Sequence, residues 1–213
     1  MKVTENSLKI ILPVLLLMSL FPGCVVKVQD NQPDAQFSKY ISSFTAGEIS
    51  AEAPVVIQLK NIPPGMEKGK TLSSDIVRIV PPAEGESTVN PDGTVIFTPG
   101  APLASDTRYT VTFSLGKLME VEKQFRKFKF NFHTIAQNFS VEEEGLHADP
   151  ALNSGRMSFQ GSLLTADKAD HALVEQLVTA HFKGEKKRLT WTHSPDHKSH
   201  FFTIDSLERD ENS

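Results

Sequence analysis

Between residues 55 and 135 the chain is cut into short apolar pieces, each too brief for a stable helix and separated by turns rich in proline, glycine and asparagine. They read VVIQL (Val55 to Leu59), IVRIV (Ile76 to Val80), TVIFTP (Thr94 to Pro99), YTVTFSL (Tyr109 to Leu115) and RKFKFNFHTI (Arg126 to Ile135), with NIPPG, NPDG and PGAP among the turns. β-Branched and aromatic side chains are stiff and pack well on a pleated surface, so these runs are predicted strands. In the last of them Phe128, Phe130 and Phe132 alternate with Lys127, Lys129, Asn131 and His133. A period of two sends the rings to one face and the polar groups to the other, so one face is buried and one is wet. Proline at strand ends and the NPDG turn fit the same pattern. The expected fold class is all-β: an Ig-like sandwich over residues 38–135, followed by a second, incomplete sandwich with one short helix over 136–213.

The second region supplies fewer strands. FSVEE, MSFQGSLL (Met157 to Leu164), KRLTWTHS (Lys187 to Ser194) and HFFTI (His200 to Ile204) read as strands, about four against the roughly seven of a closed Ig-like sandwich. Between them, Asp167 or Asp170 can cap a helix in which Leu173, Val174, Leu177 and Val178 make an apolar stripe expected to pack on the sheet. An unfinished sandwich leaves edges that take up a partner strand or aggregate.

The amino terminus carries a different signal. Lys2 and Lys9 form a positive region ahead of an apolar run, IILPVLLLMSLF (Ile10 to Phe21), too short to cross a hydrocarbon layer of about 30 Å, which is the form of a signal peptide over residues 1–23. Cys24, the only cysteine among 213 residues, stands directly behind Gly23. A lone thiol cannot close an internal disulfide. The stretch LFPGC resembles a bacterial lipobox at Gly23 and Cys24, while Phe21 and Pro22 depart from it. That resemblance implies lipidation of Cys24 and a membrane partner through its acyl chains. Residues 24–37 then read as a flexible tether. The formal charge of −4, with Lys and Arg interspersed among acids, excludes a nucleic-acid partner.

The segment NPDGTVIFTPGAPLASDTRYTVTF resembles the bacterial Ig-like domain named after the S-layer protein SbsA. The matching positions are Thr94, Phe97, Pro99, Pro102, Leu103, Thr107, Tyr109 and Val111. In wider order, a lipobox, a tether, YISSFTAGEIS, the Ig-like module and GSLLTADKADHALVEQLV, the chain resembles the N-terminal region of bacterial alpha-2-macroglobulin family lipoproteins. The second region then corresponds to part of a first macroglobulin-like domain. The resemblance implies a location in the bacterial cell envelope, outer membrane or periplasmic face. It also implies a structural role in an endopeptidase-inhibitor system, with downstream domains or a separate chain, and through them a protease, as partners. The bait segment and Cys-x-Glu-Gln thioester of that family are absent from the sequence, which is expected as a truncated or split product or a short derivative. The alternatives are an autonomous envelope adhesion or scaffolding module and, ranked last, a small hydrolase.

Candidate chemistry is sparse, and the expectation is of no enzyme, no cofactor, no catalytic residue and no metal ligand. GMEKGKT (Gly65 to Thr71) has three residues between its glycines where a phosphate-binding loop needs four. HSPDHKSH places His193, His197 and His200 at metal-like intervals, but Pro195 forbids the helix that would align the first two, so the segment reads as a hairpin tip. Glu142, Glu143 and Glu144 read as a solvated run rather than an acid–base pair. The cluster from Lys183 to Arg188 reads as a helix exit into a turn, and Trp191 as a core residue.

Overall fold

The computed structural model describes residues 33–63, 67–148 and 156–208, all within one compact unit. Cys24, the signal segment and most of the expected tether lie outside the described residues.

Among the described residues, nine strands build the first body: β1 (Ile41–Phe44), β2 (Glu48–Ile49), β3 (Val55–Leu59), β4 (Lys70–Thr71), β5 (Val77–Val80), β6 (Gly85–Val89), β7 (Thr94–Pro99), β8 (Arg108–Phe113) and β9 (Phe128–Thr134). They form a five-stranded sheet in the order β1-β3-β7-β6-β4 and a four-stranded sheet in the order β2-β9-β8-β5. All pairings are antiparallel except β2 with β9. Strict alternation makes the sandwich close. On β3 Val55, Ile57 and Leu59 are buried, and on β9 Phe128, Phe130 and Phe132 are, so each sheet offers one apolar face to the other. Aromatic rings fill the gap: Tyr109 stacks on its cross-strand partner Phe132 with centroids 5.2 Å apart, and Phe44 packs against both Phe128 and Phe130. The NPDG turn closes the β6–β7 hairpin, with Gly93 at φ +82°.

The core extends further towards the amino terminus than the sequence suggests. Ala35–Lys39 is a single 3-10 turn capped by Asp34, whose side chain accepts from the Gln36 N–H at 2.9 Å. Phe37 is buried there, edge-on to Phe125 at 5.2 Å and against Phe128 at 4.9 Å. The expected tether over 24–37 therefore ends short of Phe37, because an aromatic side chain placed beside an apolar cluster gains more from burial than from solvation.

The second body has β10 (Phe139–Ala148), β11 (Arg156–Thr165), helix α1 (His171–Leu177), the small hairpin β12 (Ala180–Phe182) with β13 (Glu185–Lys187), then β14 (Thr190–His193) and β15 (Ser199–Glu208). Its main sheet is antiparallel in the order β10-β11-β15-β14. Residues facing one another across antiparallel strands share a face. Cross-strand pairing therefore puts Val141, Leu163, His200 and His193 in one row and Gly161, Phe202 and Trp191 in the next, on the same apolar side. Gly161 is needed in its row: a Cβ there would lie 2.6 Å from the Phe202 ring.

Two local expectations change. Of the predicted helical stripe only Val174 is buried, while Leu173 and Leu177 are exposed and Val178 is already extended. The helix has only seven residues, and Val174 is its one buried residue. The basic cluster after it is no helix exit: Lys183 and Gly184, at φ 50° and 83°, form the tip of the β12–β13 hairpin. Two consecutive left-handed residues match the twist of the flanking strands.

Candidate functional site

Among the described residues, a group of histidines gathers where α1 meets the tip joining β14 to β15. Asp170 caps α1 by accepting from the Leu173 N–H at 3.1 Å, which fixes His171 as the first helical residue. The tip is held by its own hydrogen bonds. His197 N–H donates to Ser194 O at 3.0 Å, Ser199 N–H to Ser194 Oγ at 2.9 Å, and Lys198 N–H to Asp196 Oδ1 at 3.0 Å. Ala169 N–H donates to His197 O at 3.0 Å, so the chain entering α1 is tied to the same tip.

These restraints gather four imidazoles. His193 and His200 are cross-strand partners whose Nδ1 atoms lie 2.8 Å apart, with the rings 68° from coplanar. His193 Nε2 is 3.1 Å from Glu175 Oε1, one turn along α1 from His171. A carboxylate only accepts, so this contact places a proton on His193 Nε2 and turns the Nδ1 lone pair towards His200. His171 stacks on His193 with centroids 3.8 Å apart and planes within 9°, and His197 stacks on His171 at 4.6 Å. Trp191 lies parallel to His193 at 6.0 Å and touches Phe202 at 5.3 Å, so the tryptophan is half-buried against the site rather than in a closed core. One nitrogen each from His171, His193 and His200 fall within 4.8 Å of one another.

The electrostatics suit neutral rings. Burial, then the neighbouring imidazoles His193, His171 and His197, push His200 below the usual histidine value, against a weaker pull from Asp196. The same two causes lower His171, with Asp170 and Glu175 opposing. Both rings therefore carry an unshared electron pair at neutral pH. His200 is completely buried, and the Nε2 atoms of His171 and His200 are buried without a hydrogen-bond partner. Unpaired buried polar atoms are uncommon in folded chains and costly to maintain.

The sequence pointed to His193, His197 and His200 and to a hairpin, and the structure brings the first and last together across that hairpin. His171 was missed. It lies far upstream, and only the pairing of β14 with β15 and the Asp170 cap reveal its place. Glu142 and Glu143 are exposed neighbours on β10, Lys68 is exposed on the loop leading into β4, and Lys70 is exposed on that strand.

A second cluster joins the two β bodies. Asp167 is buried and accepts the Ala51 N–H at 2.7 Å and the Lys168 N–H at 2.8 Å. Gln137, between the bodies, accepts the Asp167 N–H at 2.8 Å and donates Nε2 to the carbonyls of Asp167 and Lys168 at 3.1 and 3.2 Å. Burial raises the Asp167 carboxyl, but the hydrogen bonds from Ala51, the Ser50 hydroxyl and Lys168, with the Lys198 ammonium, outweigh it and hold the group below the usual aspartate value.

No family model matches the sequence, and no curated protein matches it either. Among solved structures, the crystal structure of L,D-transpeptidase 3 from Mycobacterium tuberculosis is similar at 11% identity and a TM-score of 0.32. The match covers 75% of this chain, which spans about 60% of that structure's length. A likeness that distant carries no argument about the site.

Proposed function

We propose that this chain is a lipid-anchored protein of the bacterial cell envelope, held at the membrane through Cys24, whose two β bodies position further protein rather than catalyse a reaction. By its resemblance, the protein served is an inhibitor of the alpha-2-macroglobulin type, to which this chain contributes the membrane-proximal segment. The observation that carries the reading is the contrast at the joint. A closed sandwich is locked through Asp167 and Gln137 to a sheet whose apolar side is only partly covered. An incompletely covered apolar face suits attachment of further protein. Cys24 supplies the anchor, since each buried acyl methylene contributes about 0.8 kcal/mol and two or more chains anchor durably.

Mass spectrometry of the mature amino terminus from native membranes tests the anchor. The expected species begins at Cys24 with acyl-glyceryl mass added, and Cys24→Ser moves the protein into the soluble fraction. A mature chain that retains residues 1–23, or a free thiol at Cys24, overturns it. Protease inhibition by the isolated chain is expected to be nil, because the trapping elements are absent from its sequence.

A further inference from the structure

We infer that His171, His193 and His200 form a three-imidazole site for a divalent transition-metal ion of the zinc class, built where the start of α1 meets the β14–β15 hairpin. The inference stands apart from the membrane anchor and holds whether or not Cys24 is acylated. Three ligand nitrogens within 4.8 Å come from two elements held by separate hydrogen bonds. Zinc–nitrogen bonds of 2.0–2.1 Å in a tetrahedron put ligand nitrogens about 3.3 Å apart. The facing Nδ1 atoms of His193 and His200, at 2.8 Å, therefore need to separate by only about half an ångström to admit an ion. A cation takes the place of the proton held between them, which passes to the other nitrogen of its ring.

Glu175 supplies the supporting contact. Its carboxylate at 3.1 Å from His193 Nε2 fixes the tautomer that leaves Nδ1 free to ligate, the carboxylate–histidine arrangement that orients imidazole ligands on metals. The buried Nε2 of His171 has no hydrogen-bond partner, and in the tautomer protonated at Nδ1 its electron pair is free to ligate. Three uncharged nitrogen donors favour zinc, copper or nickel over calcium or magnesium, which take oxygen ligands.

One movement is required. An imidazole lone pair lies in the ring plane, and the parallel planes of His171 and His193 do not meet. His171 therefore turns about Cβ–Cγ, a broad torsion, which also displaces His197 from its stacked position at 4.6 Å. The ion then staples α1 to the hairpin, and Trp191, parallel to His193, reports the change.

The test uses the full chain, purified in detergent without an oligohistidine tag and stripped with chelator. Calorimetric titration with zinc chloride is expected to show one equivalent bound at micromolar affinity or tighter, with no heat from calcium or magnesium. Cobalt in its place is expected to give the intense visible bands of a site with four or five ligands. His171→Gln and His193→Gln each weaken zinc binding by tenfold or more, and Glu175→Gln by about tenfold. The urea midpoint measured in chelator confirms that each variant folds. If His193→Gln unfolds, the half-buried His171→Gln and the wild-type histidine ring NMR signals still decide. Zinc must shift His171, His193 and His200 while leaving His147 and His181 in place. Absence of saturable binding, affinity unchanged by the variants, or shifts confined to His147 and His181 overturns the inference.

Discussion

The two β bodies draw on the same kinds of residue and bury them to different extents. In the first, two sheets face each other, and one extended cluster runs from Phe37 to Phe132 with Val89, Val95, Val111, Phe113 and Phe130 wholly inaccessible. In the second, one sheet carries an apolar side covered only in part, by α1 and the small hairpin. Leu163, Phe202 and Ile204 are buried, while Phe139, Val141 and Leu146 remain about half exposed at 55%, 48% and 57%. Alternation along a strand guarantees an apolar face and does not guarantee a partner for it. A second sheet closes the first body; a seven-residue helix cannot do the same for the second. The hydrophobic driving force scales with area removed from water, so stability should be concentrated in the first body.

The largest effect should come from truncating its centre. Phe130→Ala removes a fully buried ring held by Phe44 and Phe128, and is expected to cost about 5 kcal/mol, the upper end for such substitutions. Phe202→Ala, in the half-covered face, is expected near the lower end at about 3 kcal/mol. Urea unfolding followed by tryptophan fluorescence, which reports the second body through Trp191, and by far-UV circular dichroism separates the two. Equal costs would mean that the second face is as well covered as the first.

Asp167→Ala should come next, since it strands the Ala51 and Lys168 N–H groups at the joint, at about 1–3 kcal/mol. The expected signature is a loss of coupling, with the fluorescence transition moving to lower urea than the dichroism transition. pH gives a gentler version. The Asp167 carboxyl is held below its ordinary value of 3.8, so its stabilisation is fully present above that value and is lost as pH falls through the lower folded one. Unfolding midpoints measured from pH 6 down to pH 2.5 should fall more steeply for the native chain than for Asp167→Asn. Identical profiles would remove the carboxylate from the joint.

How much of this was legible in the sequence follows the same division. VVIQL and TVIFTP are strands over the very residues read from their patterns, and the alternating phenylalanines of RKFKFNFHTI do face the core, because period-two burial is written locally. β1, β2, β4 and β6 were not legible: ISSF, EI, KT and GESTV carry little apolar signal and are strands only because neighbours supply hydrogen-bond partners. The candidate site shows the limit most clearly. His193 and His200 are near in sequence and their hairpin was readable, whereas His171 and Glu175 join them only through tertiary packing of a helix too short to announce its docked face. The role of Asp167 was likewise hidden. It sits where a helix cap is expected, yet Asp170 does the capping and Asp167 turns to the other body.

The smallest expected effect is the one that most sharpens the contrast. Leu146 lies on the partly covered side of β10, near Phe159 and Phe182, at the mouth of a groove of about 620 Å³. If that side faces water in the isolated chain, Leu146→Ser removes little buried area and should change stability by less than about 0.5 kcal/mol. It should also reduce binding of a hydrophobic dye and concentration-dependent association, since a smaller apolar patch is a weaker self-association surface. A cost of about 2 kcal/mol or more, of the size found for buried leucines, would show that the side is covered in solution and that the two bodies differ less than their burial suggests.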